Sequence, residues 1–126
     1  MTILTFDLET TTGVHNKRTA SPFSKDNYIV AAGFQHDDGE PHGCYFTSQN
    51  ISEDEYRIPF RLSDTLLVGQ NIKFDLLWSW HRPELQQFLK EGGKIWDTQL
   101  AEYLLEGQQQ YAQYVSMDEL VIKYGG

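Results

Sequence analysis

Asp7-Leu8-Glu9 is the segment of this sequence whose residue types and spacing best suit chemistry. It closes a short apolar run containing Ile3, Leu4 and Phe6, which reads as a buried strand ending in acidic residues. Residues i and i+2 of a strand point to the same face. Asp7 and Glu9 are therefore expected side by side, with Leu8 turned to the apolar side. Two adjacent carboxylates repel unless a cation lies between them. Oxygen donors of this kind suit a hard divalent ion, Mg²⁺ or Mn²⁺. The plainer alternative is a solvated strand end whose two acids face only water.

A further acid closes the segment Gly69-Gln70-Asn71-Ile72-Lys73-Phe74-Asp75. The apolar run Leu66-Leu67-Val68 leads into it, so Asp75 falls at a strand-to-helix junction. Taken alone, Asp75 fits a first-turn acid favoured by the helix dipole, and Asn71 fits a cap. Asp97 before Thr98 reads as a helix start in the same way.

The elements that must hold these residues follow from the pattern. Tyr28 to Phe34 reads as a second strand, and Asp37-Asp38-Gly39-Glu40 turns it into a third near Gly43 to Thr47. Residues 10–27 read as a long polar loop. Pro59 to Asp64 reads as the start of a short helix. Phe74, Leu77, Trp78 and His81 have helical spacing, Pro83 breaks or restarts that helix, and Gly92-Gly93 ends the next. Asp97-Thr98 opens a helix with an apolar face of Leu100, Ala101, Tyr103, Leu104 and Leu105, closed by Gly107. Gln108 to Gln110 reads as an exposed connector. A last helix starts at Ser116 and ends at Gly125-Gly126. The expected fold is α/β: a mixed central sheet, with a three-strand meander plus parallel strands, flanked by helices.

The chain has 126 residues, 40% hydrophobic and 13% aromatic, as expected for one folded domain. Its 10 basic and 18 acidic residues give a formal net charge of −8. Non-specific nucleic-acid binders are usually basic, so an acidic chain of that class would need metal ions or a basic partner. Cys44 is the only cysteine, which leaves no internal disulfide and no cysteine-based zinc site. No signal peptide or membrane span is read from the sequence, so a cytoplasmic protein is expected.

Together the motifs resemble the DEDD superfamily of 3′–5′ exonucleases. Gln70 to Asp75 is similar to the second exonuclease motif of family A (Pol I-type) DNA polymerases. Asp97-Thr98-Gln99-Leu100-Ala101-Glu102-Tyr103-Leu104-Leu105 resembles the Asp-Thr helix that follows it there, and Ser116 to Gly126 the next helix. The loop with Asn16-Lys17, Pro22-Phe23 and Asn27 looks most like bacteriophage versions, which would place the chain in a host-cell cytoplasm. The resemblance covers nearly the whole chain, read as one exonuclease domain over residues 1–126, and implies a ribonuclease H-like fold. It also implies two-metal hydrolysis of the 3′-terminal phosphodiester of single-stranded DNA, in proofreading for a polymerase. On that basis Asp7 would bridge two ions, Glu9 would bind one and help place the water, and Asp75 would hold the other. Asn71 would support the site or contact the strand, and Thr10 and Phe74 would lie near its 3′ end.

The family carries a fourth carboxylate in a third motif, Tyr-x-x-x-Asp or His-x-x-x-x-Asp. Tyr114-Val115-Ser116-Met117-Asp118 fits the first form letter for letter, but it comes too soon after Asp75. Ser116-x-x-Glu119 is a capping box, which accounts for Asp118 as a first-turn acid. The match is thus to a C-terminally truncated domain with three of four ligands. One bound ion rather than two, and weak or no activity of the isolated chain, are expected. The competing readings are a non-catalytic module that binds nucleic-acid ends or a polymerase partner, and a stand-alone nuclease completed by another chain or by Asp118. Self-association through exposed apolar surface is a further expectation. His15, His36, His42 and His81 show no zinc spacing. Lys17, Arg18 and Lys25 read either as phosphate contacts or as solvated loop charge. Trp78 and Trp96 are read as packing residues rather than base-stacking ones.

Overall fold

The computed structural model describes residues 1–12, 20–46, 57–61, 64–107 and 115–125. Five strands form one mixed sheet in the order β3-β2-β1-β4-β5. These are β1 (Thr2–Thr10), β2 (Ile29–His36), β3 (His42–Tyr45), β4 (Thr65–Gly69) and β5 (Lys94–Asp97). The first three form an antiparallel meander, and β4 and β5 run parallel to β1. Among the described residues four helices accompany them: α1 (Ile72–Trp78), α2 (Pro83–Lys90), α3 (Thr98–Leu105) and α4 (Met117–Tyr124).

Strict alternation along β1 sets the two faces of the sheet. Leu4, Phe6 and Leu8 are buried, while Ile3, Thr5, Asp7 and Glu9 are exposed. The register places Phe6 beside Phe34 and Leu4 beside Leu67, and the two phenylalanine rings stack at 5.3 Å. Ile72 and Trp78 of α1 and Leu85 of α2 complete this core. Burial of such side chains contributes roughly 1.5–3 kcal/mol each. Gly69 ends β4 where the chain turns tightly into α1. A Cβ there would lie 2.9 Å from Ile72 Cγ1 and 3.0 Å from the Phe6 carbonyl oxygen, so only glycine fits.

Several expectations change at this level. Residues 57–61 and Asp64 are not helical. Packing outweighs the local signal there: Ile58 is buried, its N–H donates to Glu84 Oε1 at 3.0 Å, and Phe60 stacks on Phe88 at 4.4 Å. The helix after Asn71 ends at Trp78, short of His81, and Pro83 restarts the chain as the first residue of α2. Strand β5 is one of the expected parallel strands, at a place where the sequence pattern marks only a glycine pair and a helix start. It is an edge strand of four residues lying between the glycine pair and the Asp97 cap. The apolar side chains of α3 do not form its inner face: Leu100, Leu104 and Leu105 are exposed, and Glu102 is the buried residue. Glu102 accepts from Tyr124 Oη at 2.7 Å and pairs with Lys123, which ties α3 to α4. Among the described residues no helix is long and apolar enough to cross a membrane. Thr47, residues 62–63, residues 13–19 of the expected loop with His15, Asn16, Lys17 and Arg18, the Gln108–Gln110 connector, Tyr114 and Gly126 lie outside the described residues.

Candidate metal centre

Asp7 and Glu9 project from the same open face of β1, as the strand period requires. Their neighbours across the sheet are small. Asp7 pairs with Gly33, Glu9 with Ala31, and Gly33 with Gly43. The missing side chains leave a shallow hollow of about 180 Å³ beside the two carboxylates, rimmed by Cys44 and Tyr45. The register shifts between Glu9 and Thr10, where β1 ends. Thr10 is half-buried at that irregularity. Bulges of this kind re-aim side chains at the rims of sheets.

Asp75 reaches the same strand from the opposite side. The β1–β4 pairing ends at Thr5 and Val68, so beyond it the backbone of β1 has no strand partner on that edge among the described residues. A buried amide must still find an acceptor. Asp75 supplies one: Leu8 N–H donates to its Oδ1 at 2.8 Å. Asp75 is itself buried. Burial is the main cause that raises its carboxyl from 3.8 to about 7; the negative charges of Asp7 and, more weakly, Asp97 add to it, and the Leu8 amide opposes it. Asp7 is raised as well by partial burial of its carboxyl, again against the Leu8 amide. The two acids thus form an electrostatically coupled pair around one backbone N–H.

Asp97 anchors the segment that carries Asp75. As N-cap of α3 it accepts from Gln99 N–H and Leu100 N–H. The same carboxylate accepts from Asn71 N–H at 3.0 Å and Ile72 N–H at 3.2 Å. One side chain therefore satisfies the free amides at the starts of two helices. Thr98 Oγ1 reinforces the junction, its single O–H shared between the Gly69 carbonyl and Gln70 Oε1. The helix-start reading of Asp97 holds, but its grip on α1 was not legible in a single linear motif.

Asn71 occupies the N-cap position of α1 in the left-handed region, φ 51° and ψ 46°, and its side chain makes no capping bond. Asparagine tolerates that conformation better than most residues. Its side chain is exposed. Phe74 is half-buried and packs against Trp78, with ring centroids 6.3 Å apart. Trp78 is a core residue, as expected. Trp96 is not: it is 53% exposed, because β5 lies at the sheet edge. The Ser116 capping box is present, with Glu119 N–H donating to Ser116 Oγ and Ser116 N–H to Glu119 Oε2. Asp118 is exposed in the first turn of α4.

Asp7, Glu9 and Asp75 are thus brought to one end of β1. They do not converge on a single point. Among the described residues no group of three or more His, Cys, Asp or Glu side chains is arranged to hold a metal ion. Mutual repulsion among three carboxylates opposes such convergence. The donors themselves, all carboxyl oxygens, are of the kind that fits a hard divalent cation. No protein-family model matches this sequence, and no curated protein matches it.

Proposed function

We propose that this chain is a metal-dependent 3′–5′ exonuclease domain with a ribonuclease H-like fold. It acts on the 3′ end of single-stranded DNA in association with a DNA polymerase. One observation carries the reading: α1 delivers Asp75 onto the Leu8 amide, between the two strand residues Asp7 and Glu9. A carboxylate so buried and so close to another is stabilised by a cation.

In this reading Asp7 and Asp75 would hold a divalent ion, Mg²⁺ or Mn²⁺, and Glu9 would add an oxygen donor. Bound there, the ion would supply Lewis acidity toward a phosphodiester and lower the pKa of a water. The protein's own contribution is positional. The sheet fixes Asp7 and Glu9, Asp97 fixes the start of α1, and Asn71 presents an exposed amide beside the strand end. Thr10 and Phe74 flank the position of the terminal nucleotide. No residue of this sequence is assigned as a fourth ligand, so weak turnover by the chain alone is part of the proposal.

The test is a calorimetric titration of Mn²⁺, run beside a slow assay for shortening of a 3′-labelled single strand. One bound ion, lost in Asp7→Ala, supports the reading. No binding at millimolar Mn²⁺ overturns it. That outcome would favour a non-catalytic end-binding or polymerase-partner module with a vestigial site.

A further inference from the structure

Helix α4 is joined to the rest of the protein with little apolar burial. Of its eight residues only Leu120 is half-buried, and the others are exposed. So short a helix is marginal in water and ordinarily relies on a packed apolar face. Here that face stays open. Trp96, Ala101 and Leu105 on one side and Met117, Leu120 and Val121 on the other line an apolar groove of about 430 Å³. The two helices therefore face each other across a gap rather than a packed seam, and the dispersion contacts of a seam are missing.

Polar contacts at both ends of α4 hold it instead. At the C-terminal end Lys123 pairs with Glu102 of α3 and with Glu106 at the α3 C-cap. Tyr124 Oη donates to the same Glu102 at 2.7 Å. The Glu102 side chain is 4% exposed, whereas those of Lys123 and Glu106 are 45% and 53% exposed. The cluster is thus rooted in the protein on one side and open to dissolved ions on the other. At the N-terminal end the Val115 carbonyl accepts from Gln70 Nε2 at 2.9 Å and from Gln99 Nε2 at 3.3 Å. Gln70 lies at the turn from β4 into α1, and its Oε1 accepts from Thr98. The lead into α4 is therefore fastened to the junction that Asp97 and Thr98 brace.

We propose that α4 is a salt-sensitive latch, closed by Lys123 on Glu102 and Glu106. Charge pairs in contact with solvent weaken as salt screens them. When the latch lifts, α4 leaves as one cooperative unit. The groove then opens, and the Gln70 side chain loses its acceptor beside the start of α1. Ionic strength thereby acts on the segment that carries Asp75, from the far end of a helix that does not touch it. The latch needs no ligand and is independent of the nuclease reading.

NMR of the full chain in metal-free buffer, at about 20 mM and about 500 mM NaCl, follows both ends of the latch. Leu120 N–H is bonded to the Ser116 carbonyl and Gly125 N–H to that of Val121. Raising the salt should speed hydrogen exchange at both, in parallel and about fivefold, while Leu8 N–H stays unchanged. The Gln70 side-chain amide signals should shift with them. Lys123→Met should give the faster exchange already at low salt and remove the salt response, and Glu106→Gln should reduce that response. Ser116→Ala weakens the helix but leaves the Lys123 pairs, so exchange should quicken and still respond to salt. A salt response that survives Lys123→Met overturns the latch, and so does exchange at Leu120 as slow as at Leu8. Salt-dependent exchange in α4 with the Gln70 signals fixed overturns the coupling to α1.

Discussion

Leu8 N–H and Asp75 Oδ1 lie 2.8 Å apart, although 67 positions separate them in the sequence. This single bond fixes α1 to the end of β1 and sets Asp75 against Asp7. It answers a structural need, because β1 outruns its pairing with β4. It also creates the charge coupling on which the candidate site depends.

The first consequence is a pH dependence of stability. In the folded protein Asp75 keeps its proton to about 7, whereas the unfolded chain releases it near 3.8. Between those values the folded state binds more protons, so this group's contribution to stability falls as pH rises, and levels off above about 7. Asp7, also raised, acts in the same direction. The loss is on the order of 4 kcal/mol in metal-free buffer. Urea melts across that pH window should show it, and Asp75→Asn should flatten it. Parallel pH profiles for the two proteins would contradict this account.

Divalent cations should offset that loss. Mn²⁺ at about a hundred times its dissociation constant should add roughly 2.7 kcal/mol of stability. The gain should be larger above pH 7 than near pH 5, where protons compete for Asp75. Asp7→Ala should abolish it, and Glu9→Gln should reduce it. Thermal melts with and without Mn²⁺ give the answer directly. An equal shift in Asp7→Ala would place the ion elsewhere.

Asp97→Ala should be among the most damaging single changes at a partly exposed position. It removes the acceptor for Asn71, Ile72, Gln99 and Leu100 N–H groups together. Loss of one cap costs about 0.5–2 kcal/mol, and two helix starts are involved, so about 1–4 kcal/mol is expected. Asp97→Asn should retain part of it. Hydrogen exchange should report faster opening at Ile72 in the alanine variant. A change confined to α3 amides would count against the link to α1.

Ser116 and Asp118 should separate cleanly. Ser116→Ala breaks the capping box of α4 and should cost about 1 kcal/mol. Asp118→Ala should leave Mn²⁺ binding unchanged, since Asp118 is an exposed first-turn acid. Weaker Mn²⁺ binding in Asp118→Ala would instead make Tyr114-x-x-x-Asp118 a true metal motif.

What the sequence disclosed was governed by short-range physics. The alternation around Asp7 and Glu9, the restart at Pro83 and the Ser116 box are each written within a few residues, and each is found in the structure. The misses involve distant partners. Pro59 and Phe60 have a locally plausible helix start, but Phe88 draws them into the core. Lys94 to Asp97 becomes a strand only because β4 offers an edge. Glu102 is buried because Lys123 and Tyr124 lie over it, a fact no periodicity in α3 contains. Asp75 itself was picked out from its junction, yet its role as acceptor for Leu8 depends on where β4 stops.

The placement of β1 has a consequence for synthesis on the ribosome. Its β2 edge can be paired as soon as the next hairpin strand emerges, because the two are near in sequence. Its other edge waits for β4, and the Leu8 amide waits longer still, for Asp75. Contacts of such sequence separation form late. The strand that carries the acids is therefore made well before its last backbone partner exists, and during that interval it offers a bare edge on one side.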